Sequence, residues 1–219
     1  MPDFGLGRLP AADERDRVFS IAPLLPAAAP AKPYRYWWAN GWWGDQGFRP
    51  WCVEYSWHHF VADGPITHEQ DAPLWEIGSV YHEAQRIDEW PGEAYDGTSV
   101  RAGAKVLQSQ GKIQQYRWAF NLEDLVQTVW TISPVVFGSN WYDSMFYPDE
   151  AGKITIGGPV AGGHAYLLDG INVTKGLFRI KNSWGRGWGK KGFAYISFDD
   201  VNRLLQEDGE ACIALESAF

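Results

Sequence analysis

Apolar positions recur at helical spacing through the first part of the chain and gather into short blocks through the second. The run from Cys52 to Ala62 places Val53, Trp57, Phe60 and Val61 on one broad apolar face and stops before Asp63-Gly64, which predicts a helix. His58 and His59 fall on the polar face of that helix and too far along it to reach its first residue. A second helix is expected from Pro73 to Glu89. A third follows Gly97-Thr98, with Val100, Gly103, Ala104 and Leu107 on one face and Gly111 as its stop. A fourth starts at Asn121, whose side chain suits an N-cap and whose followers Glu123 and Asp124 suit the positive end of the helix dipole.

The pattern then changes to strands. Pro134–Phe137, His164–Ile171, Leu177–Lys181 and Phe193–Ser197 are short apolar blocks between glycine-rich turns, with a surface helix expected over Phe198–Gln206. Helices first and strands second imply an α+β protein of two lobes. The expected divisions are an arm over 1–43, a helical lobe over 44–133 and a β-rich lobe over 134–219. Within the arm, Ile21–Pro33 is almost all Ala, Pro and Leu, which forbids regular helix or central strand and suggests a strap across the body. Tyr34–Trp43 (YRYWWANGWW), broken by the turn signal Asn40-Gly41, is expected to pack and anchor the arm.

Composition narrows the function. The 219 residues carry a formal net charge of −8 without a basic run, which excludes a nucleic-acid backbone as partner. No apolar stretch is long enough to cross a bilayer, so no membrane partner is expected, and no cofactor or metal is called for. Cys52 and Cys212 are the two cysteines, too few for a disulfide framework, and free thiols in a reducing compartment are the simpler expectation. The N-terminal stretch lacks a basic start followed by an apolar run, so cytoplasmic residence is expected, or carriage inside a virion or other particle.

A thiol becomes a nucleophile only when its pKa is lowered by a helix N-terminus and a histidine that holds its proton. Cys52 stands where a helix begins, after Pro50-Trp51. Of the five histidines, His164 alone opens an apolar strand after a glycine pair, where its ring can project from a strand end. Asn182 ends the next strand, and its amide oxygen is suited to fix the tautomer of an imidazole. Trp184 and Trp188 are placed to shield that hydrogen bond from water.

The tract GGHAYLLDGIN followed by GLFRIKNSWGRGWG resembles, nearly residue for residue, the stretch of the papain-like cysteine peptidase family that carries its catalytic histidine and asparagine. Asp45-Gln46-Gly47 before Cys52, and GTSVRAGAKVLQSQG, are similar to further segments of that family. The resemblance implies a papain-like fold, with a helical N-terminal lobe, an antiparallel β-barrel-like C-terminal lobe and a cleft between them. It implies a divergent, disulfide-free member of bacterial or phage type that hydrolyses polypeptide substrates. By the same resemblance Cys52 attacks the scissile carbonyl, His164 accepts and returns the proton, and Asn182 holds His164. Gln46 and the Cys52 N–H then form the oxyanion hole, leading to a thioester acyl-enzyme. Trp51, Asp96, Gly97 and Gly163 are the expected cleft residues.

The chain departs from the family pattern at Val53, where the family has Trp, at the missing half-cystine before Cys52, and in having no inhibitory pro-region of family length. Two other expectations stand beside the peptidase. One is a structural or binding component of a larger, possibly viral, assembly, partnered through the arm; the other is acyl transfer by the same thioester chemistry.

Overall fold

The computed structural model describes residues 4–37, 42–66 and 73–216. Seven antiparallel strands form one sheet: β1 (Tyr34–Tyr36), β2 (Ile113–Ala119), β3 (Val135–Tyr142), β4 (Val160–Asn172), β5 (Leu177–Lys181), β6 (Phe193–Ser197) and β7 (Glu210–Glu216). Their order is β2-β7-β3-β4-β5-β6, and β1 pairs with the far end of β4. β2 and β6 stand at opposite edges, so the sheet is open where a barrel-like closure was expected.

Strand alternation sends neighbouring residues into two cores. Along β4, Tyr166 and Leu168 join one cluster while Ala165 and Leu167 join the other, and β3 divides Val135 and Phe137 from Val136 in the same way. On the second face lie α1 (Cys52–Asp63), α2 (Ser79–Ile87) and α3 (Val100–Ser109). On the first lie α4 (Leu122–Thr131) and α5 (Phe198–Gln206). β2, which precedes Ser133, is therefore part of the sheet, and Leu125 and Val129 of α4 belong to the same core as β3 and β4.

Local chemistry sets the boundaries. Asn121 Oδ1 accepts the Asp124 N–H and caps α4, and the Ser99 hydroxyl does the same for α3 through Ala102. α3 stops before Gly111, whose φ of 70° suits a glycine. The second helix is shorter than expected because Gly78, at φ 98°, breaks the run and becomes its N-cap. There the Glu54 carboxylate, reaching across from α1, accepts the Gly78 and Tyr81 N–H groups and the Trp75 indole N–H. An anion is held at the start of α2 in the manner helix N-termini favour, while burial pushes the Glu54 carboxyl up to about 6.

His58 and His59 correct the sequence reading: all twelve residues of α1 are buried, so the helix has no polar face. The reason is tertiary. The His58 ring stacks on Trp42 at 4.0 Å, and its Nε2 accepts the Leu74 N–H; His59 Nε2 accepts the Gly44 N–H. Burial drives the His58 pKa down to about 3. The unfolded chain therefore binds a proton there below about pH 6.5 that the folded one refuses, and stability is lost as pH falls from 6.5 towards 3. We expect His58→Gln, which can still accept from Leu74, to be less stable than wild type at pH 7. The gap should then close by about 1.4 kcal/mol per pH unit on acidification. Denaturant melts of both chains at pH 7, 6 and 5 check this; a constant gap would remove the buried neutral histidine as its cause.

In the aromatic segment Trp37 and Trp42 are buried, whereas Tyr34 and Tyr36 are exposed on β1. The expected Asn40-Gly41 turn lies outside the described residues, as does His68.

Candidate active site

Cys52 is the first residue of α1, with Trp51 as N-cap, so its sulfur lies at the positive end of a helix dipole. Both cysteines are free and buried, which excludes a bridge from Cys52 to Cys212. α1 packs on β4, and the Ala165 and Val53 N–H groups lower the Cys52 pKa. Burial outweighs them and pushes the thiol up to about 12, so in this conformation the sulfur keeps its proton.

His164 stands immediately before Ala165 on β4, and its Nε2 lies 2.9 Å from Asn182 Oδ1. The same Asn182 atom accepts the Ser183 N–H at 2.8 Å, which identifies it as the oxygen. An oxygen can only accept, so His164 Nε2 carries the hydrogen and Nδ1 is the bare lone pair. Nδ1 is buried and has no hydrogen-bond partner among the described residues. Burial lowers the His164 pKa to about 4 against the raising effect of Asn182, leaving the ring neutral. Trp184 stacks on it at 4.5 Å and 21°, Trp141 meets its edge at 4.9 Å, and Trp188 packs against Trp184 at 5.3 Å. These indoles fix the ring plane and exclude water from the Asn182 bond.

Gln46 is completely buried. Its Oε1 accepts the Ser183 hydroxyl at 2.5 Å, and its Nε2 donates to the carbonyls of Arg49 and Gly5. Two carbonyl acceptors fix which end is the NH₂ group, and one of its hydrogens points at whatever carbonyl lies where Gly5 does. Ser183, which holds Gln46 in this pose, was missed as a site residue although it lies inside the KNSWG tract.

The larger omission is the arm itself. Residues 4–9 run through the expected cleft. Phe4 stacks on Trp184 at 4.6 Å, and the Gly5 carbonyl accepts from the Trp184 indole as well as from Gln46. Gly7 and Arg8 N–H donate to the Gly163 carbonyl, Thr98 N–H donates to the Gly7 carbonyl, and Leu9 N–H donates to the Thr98 carbonyl. Glycines make the approach possible: a Cβ on Gly163 would stand 2.0 Å from the Arg8 carbonyl, and one on Gly97 2.4 Å from the Gly7 carbonyl. Gly97 and Gly163 thus flank one strip of backbone. Asp96 is exposed beside it, and Trp51 turns away to pack on Tyr81 and His82. Cys52 and His164 are both 0% exposed.

A buried ion pair joins the two structural halves nearby. Lys181, the residue before Asn182, meets Asp63 at the end of α1 and donates to the Trp42 carbonyl at 3.1 Å. Among the described residues no group of three or more His, Cys, Asp or Glu side chains is arranged to hold a metal ion, and no helix is long and apolar enough to cross a membrane.

Residues 52–212 match the model of the papain family cysteine proteases. Among solved structures, the chain is similar over 99% of its length to 98% of xylellain, a cysteine protease from Xylella fastidiosa, with a TM-score of 0.71 at 20% identity. It is similar over 97% of its length to 78% of the digestive procathepsin L2 proteinase from Tenebrio molitor larval midgut, with a TM-score of 0.62 at 17% identity. Over 80% of its length it is similar to 94% of the bromelain protease from Ananas comosus, solved in complex with the E64 inhibitor, with a TM-score of 0.57 at 13% identity. At these identities the likeness is one of fold. No curated protein sequence matches the chain.

Proposed function

Because the chain belongs to the papain family of cysteine proteases, we propose that Cys52 is its nucleophile, His164 its general base and acid, and Asn182 the residue that orients His164. Family membership makes it a thiol protease acting on polypeptides; the division of labour among residues is our reading. One observation carries it: Asn182 takes the Nε2 hydrogen, so His164 Nδ1 is left as a lone pair with no other partner among the described residues.

The thiol proton passes to His164 Nδ1 and the sulfur bonds to the scissile carbonyl carbon. Negative charge moves to the carbonyl oxygen, where Gln46 Nε2–H and the Cys52 backbone N–H donate to it. The imidazolium returns its proton to the amide nitrogen as the C–N bond breaks, leaving a thioester. Water then attacks, giving a proton to His164, and the C–S bond breaks to release the carboxylic acid and restore the thiol.

Gln46→Ala is expected to lower kcat about a hundredfold with little change in KM, since the donor acts where charge develops. Steady-state kinetics on one peptide substrate read the split; an equal rise in KM would assign Gln46 to binding instead.

A structural or binding component is favoured by one feature: the arm fills the cleft and leaves both reacting groups neutral. Alkylation separates the readings. With the arm loosened by Arg8→Ala, iodoacetamide should label Cys52 rapidly at pH 5.5, and adding His164→Ala should slow labelling at least tenfold. Equal, slow labelling of the two chains would remove Cys52 as a nucleophile.

A further inference from the structure

Glu54 follows Cys52 on the first turn of α1, is 0% exposed, and directs its carboxylate at another element. Both of its oxygens accept the Gly78 N–H at 2.9 Å, Oε2 also accepts the Tyr81 N–H at 3.2 Å, and Oε1 the Trp75 indole N–H at 3.3 Å. Trp51, the residue before Cys52, lies over the same point: a Cβ on Gly78 would stand 3.2 Å from its Cη2. Glycine alone combines that clearance with a φ of 98° at no cost. α2 in turn holds the strip from Tyr95 to Thr98 along its length. Tyr81 Oη accepts the Gly97 N–H at 3.0 Å, and Gln85 Nε2 donates to the Tyr95 and Gly97 carbonyls at 2.8 and 3.2 Å. At the C-cap of α2, the Asp88 carboxylate accepts the Tyr95 and Thr98 hydroxyls at 2.6 and 2.8 Å. On the cleft side of the strip, Thr98 grips the arm backbone at Gly7 and Leu9.

From this we propose that Glu54 is a positioning residue of the protease: it fixes the start of α2 on the helix that carries Cys52, and so sets where the 95–98 strip holds a substrate backbone relative to the sulfur. The proposal deepens the reading of Cys52 as nucleophile and rests on it only in calling the held backbone a substrate. The linkage is continuous, from Cys52 to Glu54 along one turn of α1, from Glu54 to α2, and from α2 to the strip. A carboxylate suits this joint, because the first N–H groups of a helix have no partner within it and a buried anion needs several donors. α3, which follows the strip, is tied to α1 separately, the Trp57 indole donating to the Val100 carbonyl at 3.0 Å. Loosening Glu54 therefore frees the strip while α1 and α3 stay joined. Gln in its place keeps the length but sets an NH₂ group against N–H donors. Losing a hydrogen bond to a charged acceptor costs on the order of tenfold or more in the equilibrium it supports.

Two readouts test it on the full chain. In the first, hydrogen exchange of single amides is followed by NMR in wild type and Glu54→Gln. The Gly97, Thr98 and Leu9 amides should exchange about tenfold faster in the variant, while Phe137 and Leu167 in the sheet keep their rates. Equal acceleration of every amide marks a general loss of stability and overturns the proposal, as does an unchanged rate at Gly97. In the second, peptide hydrolysis and iodoacetamide labelling of Cys52 are compared on Arg8→Ala, which removes the arm's 2.8 Å ion pair with buried Glu210 and opens the cleft. Adding Glu54→Gln should raise KM about tenfold for a peptide long enough to lie along the strip, with kcat little changed. Labelling should keep its rate, because iodoacetamide does not use the strip. A labelling rate that falls together with kcat/KM assigns Glu54 to the thiol and overturns the proposal. Tyr81→Phe removes the Gly97 contact, keeps the backbone N–H on Glu54, and should give the same split; it serves if Glu54→Gln fails to fold. Faster exchange at Gly97 in a chain that hydrolyses no peptide upholds the linkage and sinks the nucleophile reading. Peptide hydrolysis with exchange and KM unmoved sinks the linkage alone.

Discussion

Replacing Cys52 with alanine is expected to lower kcat for peptide hydrolysis by about 10⁶-fold, and His164→Ala should cost nearly as much. In the proposed mechanism the two groups act as one unit: without the sulfur the imidazole has nothing to deprotonate, and without the imidazole the thiol has no acceptor for its proton. Their losses should therefore fail to add, the double variant being no slower than either single one. Asn182→Ala should cost less, because Trp184 and Trp141 continue to hold the His164 ring while its Nε2 hydrogen loses its acceptor. Initial rates on one fluorogenic peptide, with all variants carried on Arg8→Ala so that the cleft is accessible, give the series directly. A Cys52→Ala chain that keeps a hundredth of the activity would point to another nucleophile.

Arg8→Ala alone should raise the turnover of the full-length protein by about 10³-fold. Truncating one partner of a buried ion pair costs roughly 3–5 kcal/mol, and each 1.4 kcal/mol is a factor of ten in a two-state equilibrium. The cost falls on the covered conformation only, where Glu210 would be left buried without its guanidinium; in the uncovered one Arg8 is solvated and its loss changes little. The chemistry of Cys52 moves with the arm. Covered, the thiol is held up to about 12 by desolvation; uncovered, the helix terminus and His164 act on a hydrated sulfur. The rate of iodoacetamide labelling should thus rise together with peptide turnover. Turnover that rises while labelling stays slow would separate the arm from the thiol.

Much of this was readable from residue order, and the exceptions share a cause. β5, β6 and α5 have the expected limits, α3 stops before the expected Gly111, and Asn121 caps α4 as expected, whereas the Ser99 cap of α3 was not foreseen. Cys52 at a helix start, His164 on a strand and Asn182 beyond the next one were recoverable because local sequence creates each position. β2 and β7 were missed. Tyr116 and Arg117, near the middle of β2, are only half-buried, and the strand's main support is its pairing with β7, a partner far away in the chain. His58 and His59 were misread because their burial comes from Trp42, Gly44 and Leu74, none of them on α1. The course of residues 4–9 left no trace in the pattern, since Gly5 and Gly7 bind through their main chain and so advertise nothing in their side chains.

The arm is anchored well beyond the cleft. Asp16 pairs with Arg101, Ile21 N–H donates to the Trp118 carbonyl, the Trp130 indole donates to the Lys32 carbonyl, and β1 is stitched to β4. Lifting Phe4 to Leu9 leaves these moorings in place, so the freed segment remains tethered at an effective concentration on the millimolar scale. Re-covering is then a first-order event that dilution cannot slow. As long as the Arg8–Glu210 pair is intact, each opening of the uncut chain is then expected to be followed by closure of the same molecule.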